Sequence, residues 1–488
     1  MTPSTLNHQP FRAPAVVWSI AGTDPTAGAG IQADLKTFQG LGVYGCTVIT
    51  AVMAQNTHGV AAIEYPSPAT IEDQFRSLEH DMPPVAIKLG MLGQRSTVEI
   101  VARHLASLNA RVVCDPVLRS SSGTALLDDD ALPAFKRDLL PHVDILTPNR
   151  PESAILAGVE DVEEAAKRLL ALGPKSVLIK GGHAEGELSQ DYWTDGRVSA
   201  WINSPRLSTK NTHGGGCTLS SAIAAAIARG LPILDAIVVA RAYVNQGLRL
   251  APHVGKGRGP LAHLGWPDDP QDMPWITDTA ESASHRLQFA DAGPLGLYPI
   301  VDRAAWVDRL TRCGVDMIQI RVKDMTGEAL EREITEAVAI AKRTNCRLYV
   351  NDHWQLALKL KAYGVHIGQD DLPTTDLVAL QAAGVRLGLS THGYAEIARS
   401  LAVLPSYLAI GTLFTSPSKS FAHDPLGLDR FATMRRLVPV PVVAIGGITL
   451  ERAHDVREAG ADGIAVISDV TKATNVEARV KAWLTRLL

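Results

Sequence analysis

The chain has 488 residues, 46% of them hydrophobic and 20% charged, with a formal net charge of -4. Such a length exceeds one ordinary core and sets two or three domains as the expectation, while the charge balance carries no basic footprint for nucleic acid. No long uncharged apolar run and no signal-peptide pattern occur, and Cys46, Cys114, Cys217, Cys313 and Cys346 form no C-x-x-C pair, so a cytoplasmic chain with reduced thiols and no membrane partner is expected.

In the first half, short apolar runs alternate with helical patterns: "VVWSIAG", "CTVITAV", "AIKLGML", "RVVCDPV", "DILTPN" and "SVLIKGG". That rhythm predicts an α/β domain with a mostly parallel sheet and helices on its faces. After the first run, Gly28-x-Gly30-x-x-Ala33 matches a dinucleotide-binding fingerprint, in which glycines press a turn against a pyrophosphate. The acidic residue that fingerprint wants about 20 positions on is missing from "VITAVMAQNTHG". The same glycines would equally serve a tight turn and close helix packing.

A second glycine cluster, "NTHGGGCTLSSAIAAAIARG", spans residues 211–230. Leu219, Ile223 and Ile227 recur every four residues, and Arg229 with Gly230 closes the pattern, which predicts a helix beginning near Cys217. Its N-terminus would offer the N–H groups of Gly214, Gly215 and Gly216 to an anion. A thiol at that terminus would tend toward thiolate, so anion hole and base coincide; a small residue packing the first turn is the structural alternative for Cys217.

Residues 265–292, rich in Pro, Asp and Ser, read as a linker between a domain at 1–264 and another at 293–488. Beyond it come "LYPIVD", "MIQIRVKD", "RLYVND", "GVHIGQDD", "RLGLSTH", "YLAIGTLF", "PVVAIGGI" and "GIAVISDV". Eight strand candidates separated mostly by helical patterns predict a closed (β/α)8 TIM barrel. Nearly every run ends in a residue capable of chemistry (Asp302, Lys323, Asp352, Asp371, Ser390, Gly447, Ser468), on the face where such barrels carry their sites. Asp352 and Asp371 suit magnesium, and Arg321 with Lys323 suits pyrophosphate oxygens; pairing across the barrel mouth is the structural alternative.

Two family resemblances follow. "AGTDPTAGAGIQADLKTFQGLGVYG", "ITAVMAQNTHGV", "KLGML", "DPVLRSSSG", "TPNRPES", "VLIKGGH" and "NTHGGGCTLSSAIAA" resemble the hydroxymethylpyrimidine/phosphomethylpyrimidine kinases of the ribokinase-like superfamily. The resemblance implies an αβα sandwich that uses ATP and Mg2+. It places Asp34 and Gln55 near the aminopyrimidine, Cys217 as catalytic base, and Gly214, Gly215 and Gly216 as anion hole. It also implies that Asn149 and Glu152 help hold magnesium and that Asp115 and Lys180 lie near the phosphates. Threonine is usual in that family where Gly215 stands.

"LYPIVD", "IQIRVKD", "YVNDHWQLALKLKAYGVHIGQDDLP", "LGLSTH", "VVAIGGI" and "ADGIAVIS" resemble thiamine-phosphate synthases. That resemblance implies Gln319, Arg321, Lys323, Asn351 and Ser390 on the pyrimidine pyrophosphate, with Asp352 and Asp371 on magnesium. Lys419 would sit beside the leaving pyrophosphate, Ser416 and Ser418 in the same loop, and Gly447, Ile467 and Ser468 on the thiazole phosphate. "FTSPSKS" has serines where that family's loop has threonines. The function implied is bifunctional thiamine biosynthesis, with small-molecule substrates and a homo-oligomeric assembly. A pyridoxal-type kinase, a thiazole tautomerase-like barrel and an inactive ligand-binding regulator are the rival readings.

Overall fold

The computed structural model describes residues 13–120, 123–182, 186–415 and 424–487. The chain divides into two compact units, Met1–Pro267 and Asp268–Leu488. Among the described residues no helix is long and apolar enough to cross a membrane.

In the first unit the chain forms β1 (Val16–Gly22), β2 (Tyr44–Asn56), β3 (Gly59–Glu64), β4 (Ala86–Leu89), β5 (Arg111–Cys114), β6 (Ile145–Leu146), β7 (Val177–Ile179), β8 (Leu188–Thr194) and β9 (Ser199–Pro205). They lie in the order β9-β8-β7-β6-β5-β4-β1-β2-β3. From β2 through β1, β4, β5 and β6 to β7 every pairing is parallel, as the apolar runs predict. Val17, Trp18 and Ile20 of β1 are wholly buried, the continuous burial expected of a strand covered on both faces. The pairings β2–β3, β7–β8 and β8–β9 are antiparallel. Nothing in the apolar runs marks β3 or β8: "GVAAIE" is largely exposed and "LSQDYWT" is polar along half its length. Strand order reverses at β1, flanked by β2 and β4, and such a switch point opens a ligand crevice at the strands' carboxyl ends.

The helix Gly215–Ala228 buries nearly every residue from Thr218 to Ala226, as a helix apolar all round must. Arg229 follows as its C-cap, and Gly230 takes φ +85°, the left-handed turn that glycine makes without strain.

The second unit is a closed barrel of eight parallel strands: β11 (Leu297–Val301), β12 (Met317–Ile320), β13 (Arg347–Asn351), β14 (Gly364–Ile367), β15 (Arg386–Thr391), β16 (Tyr407–Gly411), β17 (Val442–Ile445) and β18 (Gly463–Val466), with β18 pairing back onto β11; β10 (Trp275–Thr277) precedes them. All eight correspond to the eight apolar runs. The buried rings of Tyr298, Tyr349 and Tyr407 meet edge-on inside, with centroids 5.2–5.9 Å apart. The interior is thus a packed core and not a pore.

Residues 268–292 correct the linker expectation. Arg286 donates from Nε to Leu401 O at 3.1 Å and covers the Trp275 ring at 4.6 Å. Phe289 N donates to Leu404 O at 3.1 Å, and Ser406 Oγ donates to Ala290 O at 2.6 Å. Met273, Trp275, Ile276, Ala283, Phe289 and Ala292 are buried. The Pro, Asp and Ser content masks apolar residues that anchor a mostly irregular segment, whose short strand β10 is too brief to show a period.

Candidate active sites

In the first unit a cavity of about 950 Å³ lies where β1, β4, β5, β6 and β7 end. The turn after β1 and the turn before Gly215–Ala228 meet there at van der Waals limits. A Cβ on Gly214 would fall 1.8 Å from Gly28 O, and one on Gly28 would fall 2.7 Å from His213 Cδ2. Gly214 also holds φ +80°. Gly214 is therefore glycine because two backbones touch, and Gly28 because the His213 ring lies against it. Gly215 differs: a Cβ there meets only Leu261 Cδ1 at 3.8 Å, so its place in the sequence is not a steric requirement.

Gly214, Gly215, Gly216 and Cys217 all line the cavity. Gly215 N already donates to Thr212 O at 3.3 Å, so one of the three expected anion donors is engaged within the protein. The thiol of Cys217 receives a backbone hydrogen bond from Gly30, and Lys88 draws it toward thiolate. Burial nevertheless pushes the thiol up. Burial thus opposes the thiolate that the helix terminus, Lys88 and Gly30 favour.

Across from that helix end, Lys180 Nζ pairs with Asp115 Oδ1 at 2.7 Å. Both side chains lie 3.1 Å from where a Cβ on Gly216 would stand. Burial raises Glu152, with Asp115 adding to the effect and Lys180 opposing it. Asn149 and Glu152 form a reciprocal capping box at the helix Arg150–Ala157: Glu152 N donates to Asn149 Oδ1 at 2.8 Å and Asn149 N donates to Glu152 Oε2 at 2.9 Å. They face the cavity while also satisfying the helix start.

Gln55 lines the cavity and Asp34 does not. Asp34 is wholly buried, so its expected place against the substrate is corrected; Ser19 Oγ and Ser221 Oγ each donate to it at 2.6 Å, and Lys88 pairs with it. A further carboxylate at the cavity wall, Asp24, was missed by residue reading. His213 Nε2 lies 3.0 Å from its Oδ2, and Ala29 N donates to the same oxygen at 2.8 Å. Burial would raise Asp24, but hydrogen bonds from His213, Gln55 and Thr26 outweigh it and hold the carboxyl well below the usual range. A carboxylate placed just past a strand's end was the available signal.

In the barrel, Gln319 and Asn351 are 2% and 7% exposed at the ends of β12 and β13. Lys323 Nζ meets Asp352 Oδ2 at 2.5 Å. Asp352 holds φ +62° and its N donates to His366 O at 2.9 Å. Asp371 is exposed in the loop after β14, and Arg321 is half-buried. Among the described residues no group of three or more His, Cys, Asp or Glu assembles. A divalent ion here would rest on two carboxylates and the substrate's own phosphate oxygens, a donor set that suits magnesium. Ser390 Oγ lies 2.8 Å from His366 Nε2, and burial holds His366 down at about 4; neither His366 nor the tyrosines behind it were foreseen.

Gly447 takes φ +63°, and a Cβ there would come 2.6 Å from Thr415 O. Arg452 Nη1 donates to Gly447 O at 2.7 Å, tying this loop to the turn Leu450–Arg452 that follows it. Ile467 is 45% exposed, and Ser468 begins the short helix Ser468–Thr471. Ser416, Ser418 and Lys419 lie outside the described residues.

The family model for phosphomethylpyrimidine kinase matches residues 24–262, and that for thiamine monophosphate synthase matches residues 297–470. The chloroplastic thiamine biosynthetic bifunctional enzyme of Arabidopsis thaliana is 35% identical over 492 residues, spanning 96% of this chain and 92% of that protein. The thiamine-phosphate synthase of Salmonella paratyphi B is 50% identical over 182 residues, 37% of this chain and 86% of that protein. Among solved structures, the pyridoxal kinase of Staphylococcus aureus in complex with AMP-PCP matches with a TM-score of 0.51 at 30% identity, covering 55% of this chain and 100% of that one.

Proposed function

The chain belongs to the bifunctional thiamine biosynthetic enzymes, and we propose how the residues of its two units divide the work. The protein is a hydroxymethylpyrimidine/phosphomethylpyrimidine kinase and a thiamine-phosphate synthase in one chain. We assign the kinase to the first unit and the synthase to the barrel.

The observation that carries the kinase assignment is the meeting of Cys217 and the start of helix Gly215–Ala228 with the Lys180–Asp115 pair in one cavity. Phosphoryl transfer needs positioning and a sink for charge on the moving group. Gly216 and Cys217 supply helix-terminal N–H groups, and Lys180 supplies a cation. Gln55 offers an amide to the aminopyrimidine edge. The substrate oxygen then bonds to the terminal phosphorus of ATP as the bond to ADP breaks, and its proton passes to Cys217 Sγ. Asn149 and Glu152 would hold the magnesium that accompanies ATP; that ion neutralises phosphate charge.

In the barrel, Arg321 and Lys323 receive the pyrimidine pyrophosphate, with Gln319, Asn351 and Ser390 around the ring. Asp352 and Asp371 would hold magnesium, which draws charge from the leaving pyrophosphate. The carbon–oxygen bond to pyrophosphate breaks, the thiazole nitrogen bonds to that carbon, and Gly447, Ile467 and Ser468 hold the thiazole phosphate. Lys419, with Ser416 and Ser418, is assigned beside the departing pyrophosphate from resemblance. A cytoplasmic homo-oligomer is the setting we propose; the Arabidopsis relative is named chloroplastic.

The test supplies the purified chain with hydroxymethylpyrimidine, ATP, magnesium and thiazole phosphate and measures thiamine phosphate by mass spectrometry. Its formation is expected; phosphorylation of pyridoxal alone, with no thiamine phosphate, would overturn the reading.

A further inference from the structure

A hydrogen-bonded chain of neutral groups crosses the barrel interior and ends at Ser390. Gln319 Nε2 donates to Tyr298 OH at 3.2 Å. Tyr298 OH lies 2.8 Å from Tyr407 OH, Tyr407 OH lies 2.7 Å from His366 Nδ1, and His366 Nε2 lies 2.8 Å from Ser390 Oγ. Tyr298 and Tyr407 are 0% exposed, Gln319 2% and His366 6%. Groups so buried must find their partners within the protein.

The donor at one end fixes the sense of every later link. A phenol carries a single hydrogen. With Gln319 donating into Tyr298, the Tyr298 hydroxyl has Tyr407 as its remaining partner, so the Tyr298 hydrogen goes to Tyr407. The Tyr407 hydrogen therefore goes to His366 Nδ1. A neutral imidazole that accepts at Nδ1 carries its proton on Nε2, so His366 donates to Ser390 Oγ. The serine hydrogen is then the one left over.

We propose that Tyr298, Tyr407 and His366 are positioning residues of the synthase that present the Ser390 hydroxyl to the pyrimidine pyrophosphate as a hydrogen-bond donor. The inference rests on the barrel assignment above, in which Ser390 faces that substrate. A chain of aligned donors polarises its last member, so Ser390 donates more strongly than an isolated serine. The family resemblance implied only the two ends, Gln319 and Ser390. The middle is carried by aromatic side chains that packing alone would explain, yet each hydroxyl is aimed at the next polar atom.

The test has two arms on the full chain. Histidine-selective 15N labelling, with His366 assigned through His366→Gln, reads the tautomer directly. The expected result is a proton on Nε2 and a bare Nδ1; a proton on Nδ1 reverses the chain and overturns the proposal. In the kinetic arm, Tyr407→Phe removes one neutral link, so synthase kcat falls about three- to tenfold with KM within twofold and pyrimidine phosphorylation unchanged. Tyr298→Phe is the second variant should Tyr407→Phe not fold. Wild-type synthase kcat in a folded variant also overturns it. If the unmodified chain makes no thiamine phosphate from supplied pyrimidine pyrophosphate and thiazole phosphate, the barrel assignment fails, whereas the tautomer still reports on the chain of hydrogen bonds.

Discussion

Lys88 Nζ lies 2.7 Å from Asp34 Oδ2, and neither side chain has any exposure. Ser221, whose Oγ donates to Asp34 Oδ1 at 2.6 Å, is one helical turn past Cys217. The pair thus ties β4 and the helix Gly30–Gly40 to the helix that begins the transfer site. Lys88→Met leaves a buried carboxylate without its cation and is expected to destabilise the first unit by about 3–5 kcal/mol. Lys88→Met combined with Asp34→Asn should cost less than Lys88→Met alone. Urea unfolding followed by signals from the first unit checks this, and a double variant less stable than the single one contradicts it.

As the proposed base, Cys217 sets a direction for the pH dependence of the kinase. A thiol acts as base in its thiolate form, and burial moves its formation to higher pH. Phosphorylation kcat should therefore keep climbing with pH beyond the point where an ordinary thiol would have ionised. Cys217→Ala is expected to lose about 10²–10⁴ in rate and the alkaline rise together, while the barrel reaction on supplied pyrimidine pyrophosphate stays intact. A variant that keeps the wild-type pH profile removes Cys217 from proton transfer.

Much of this was legible because parallel strands buried on both faces leave long apolar runs, and every barrel strand left one. The kinase site was legible where a glycine had no alternative, as at Gly214 against Gly28 O. What stayed hidden has physical causes. Asp34 sits in a motif rich in functional groups, but the sequence does not encode that its side chain turns inward to Lys88. Asp24 was passed over inside the same stretch, because its role depends on His213, 189 positions away. The tyrosine and histidine links behind Ser390 come from three different strands, and their alignment exists only once the barrel closes.

Asp352 tests the second site. Its Oδ2 holds Lys323 at 2.5 Å, so Asp352→Ala removes a proposed magnesium ligand and frees that lysine at once. A single remaining carboxylate holds the ion poorly, and condensation should demand more magnesium and run more slowly. Asp352→Asn, which keeps the shape and loses the charge, should show the same shift in a magnesium titration of synthase rate. An unchanged magnesium dependence in both variants rejects the metal-ligand assignment.

Phe289 decides what residues 268–292 are. A tether residue touches nothing, and its truncation would change stability by no more than about 0.5 kcal/mol. Phe289 is 6% exposed, its N donates to Leu404 O at 3.1 Å, and the carbonyl of the next residue accepts from Ser406 Oγ. Truncating a buried aromatic costs about 3–5 kcal/mol, so Phe289→Ala should lower the unfolding midpoint of the barrel, followed through loss of synthase activity in denaturant, while the kinase midpoint holds. The same packing sets where the chain can be divided. A cut after Pro267 leaves the barrel its anchor, whereas a barrel begun at residue 293 loses the Arg286 and Phe289 contacts with Leu401 and Leu404. The longer fragment should therefore unfold at the higher denaturant concentration; equal midpoints for the two, with Phe289→Ala neutral, would restore the tether.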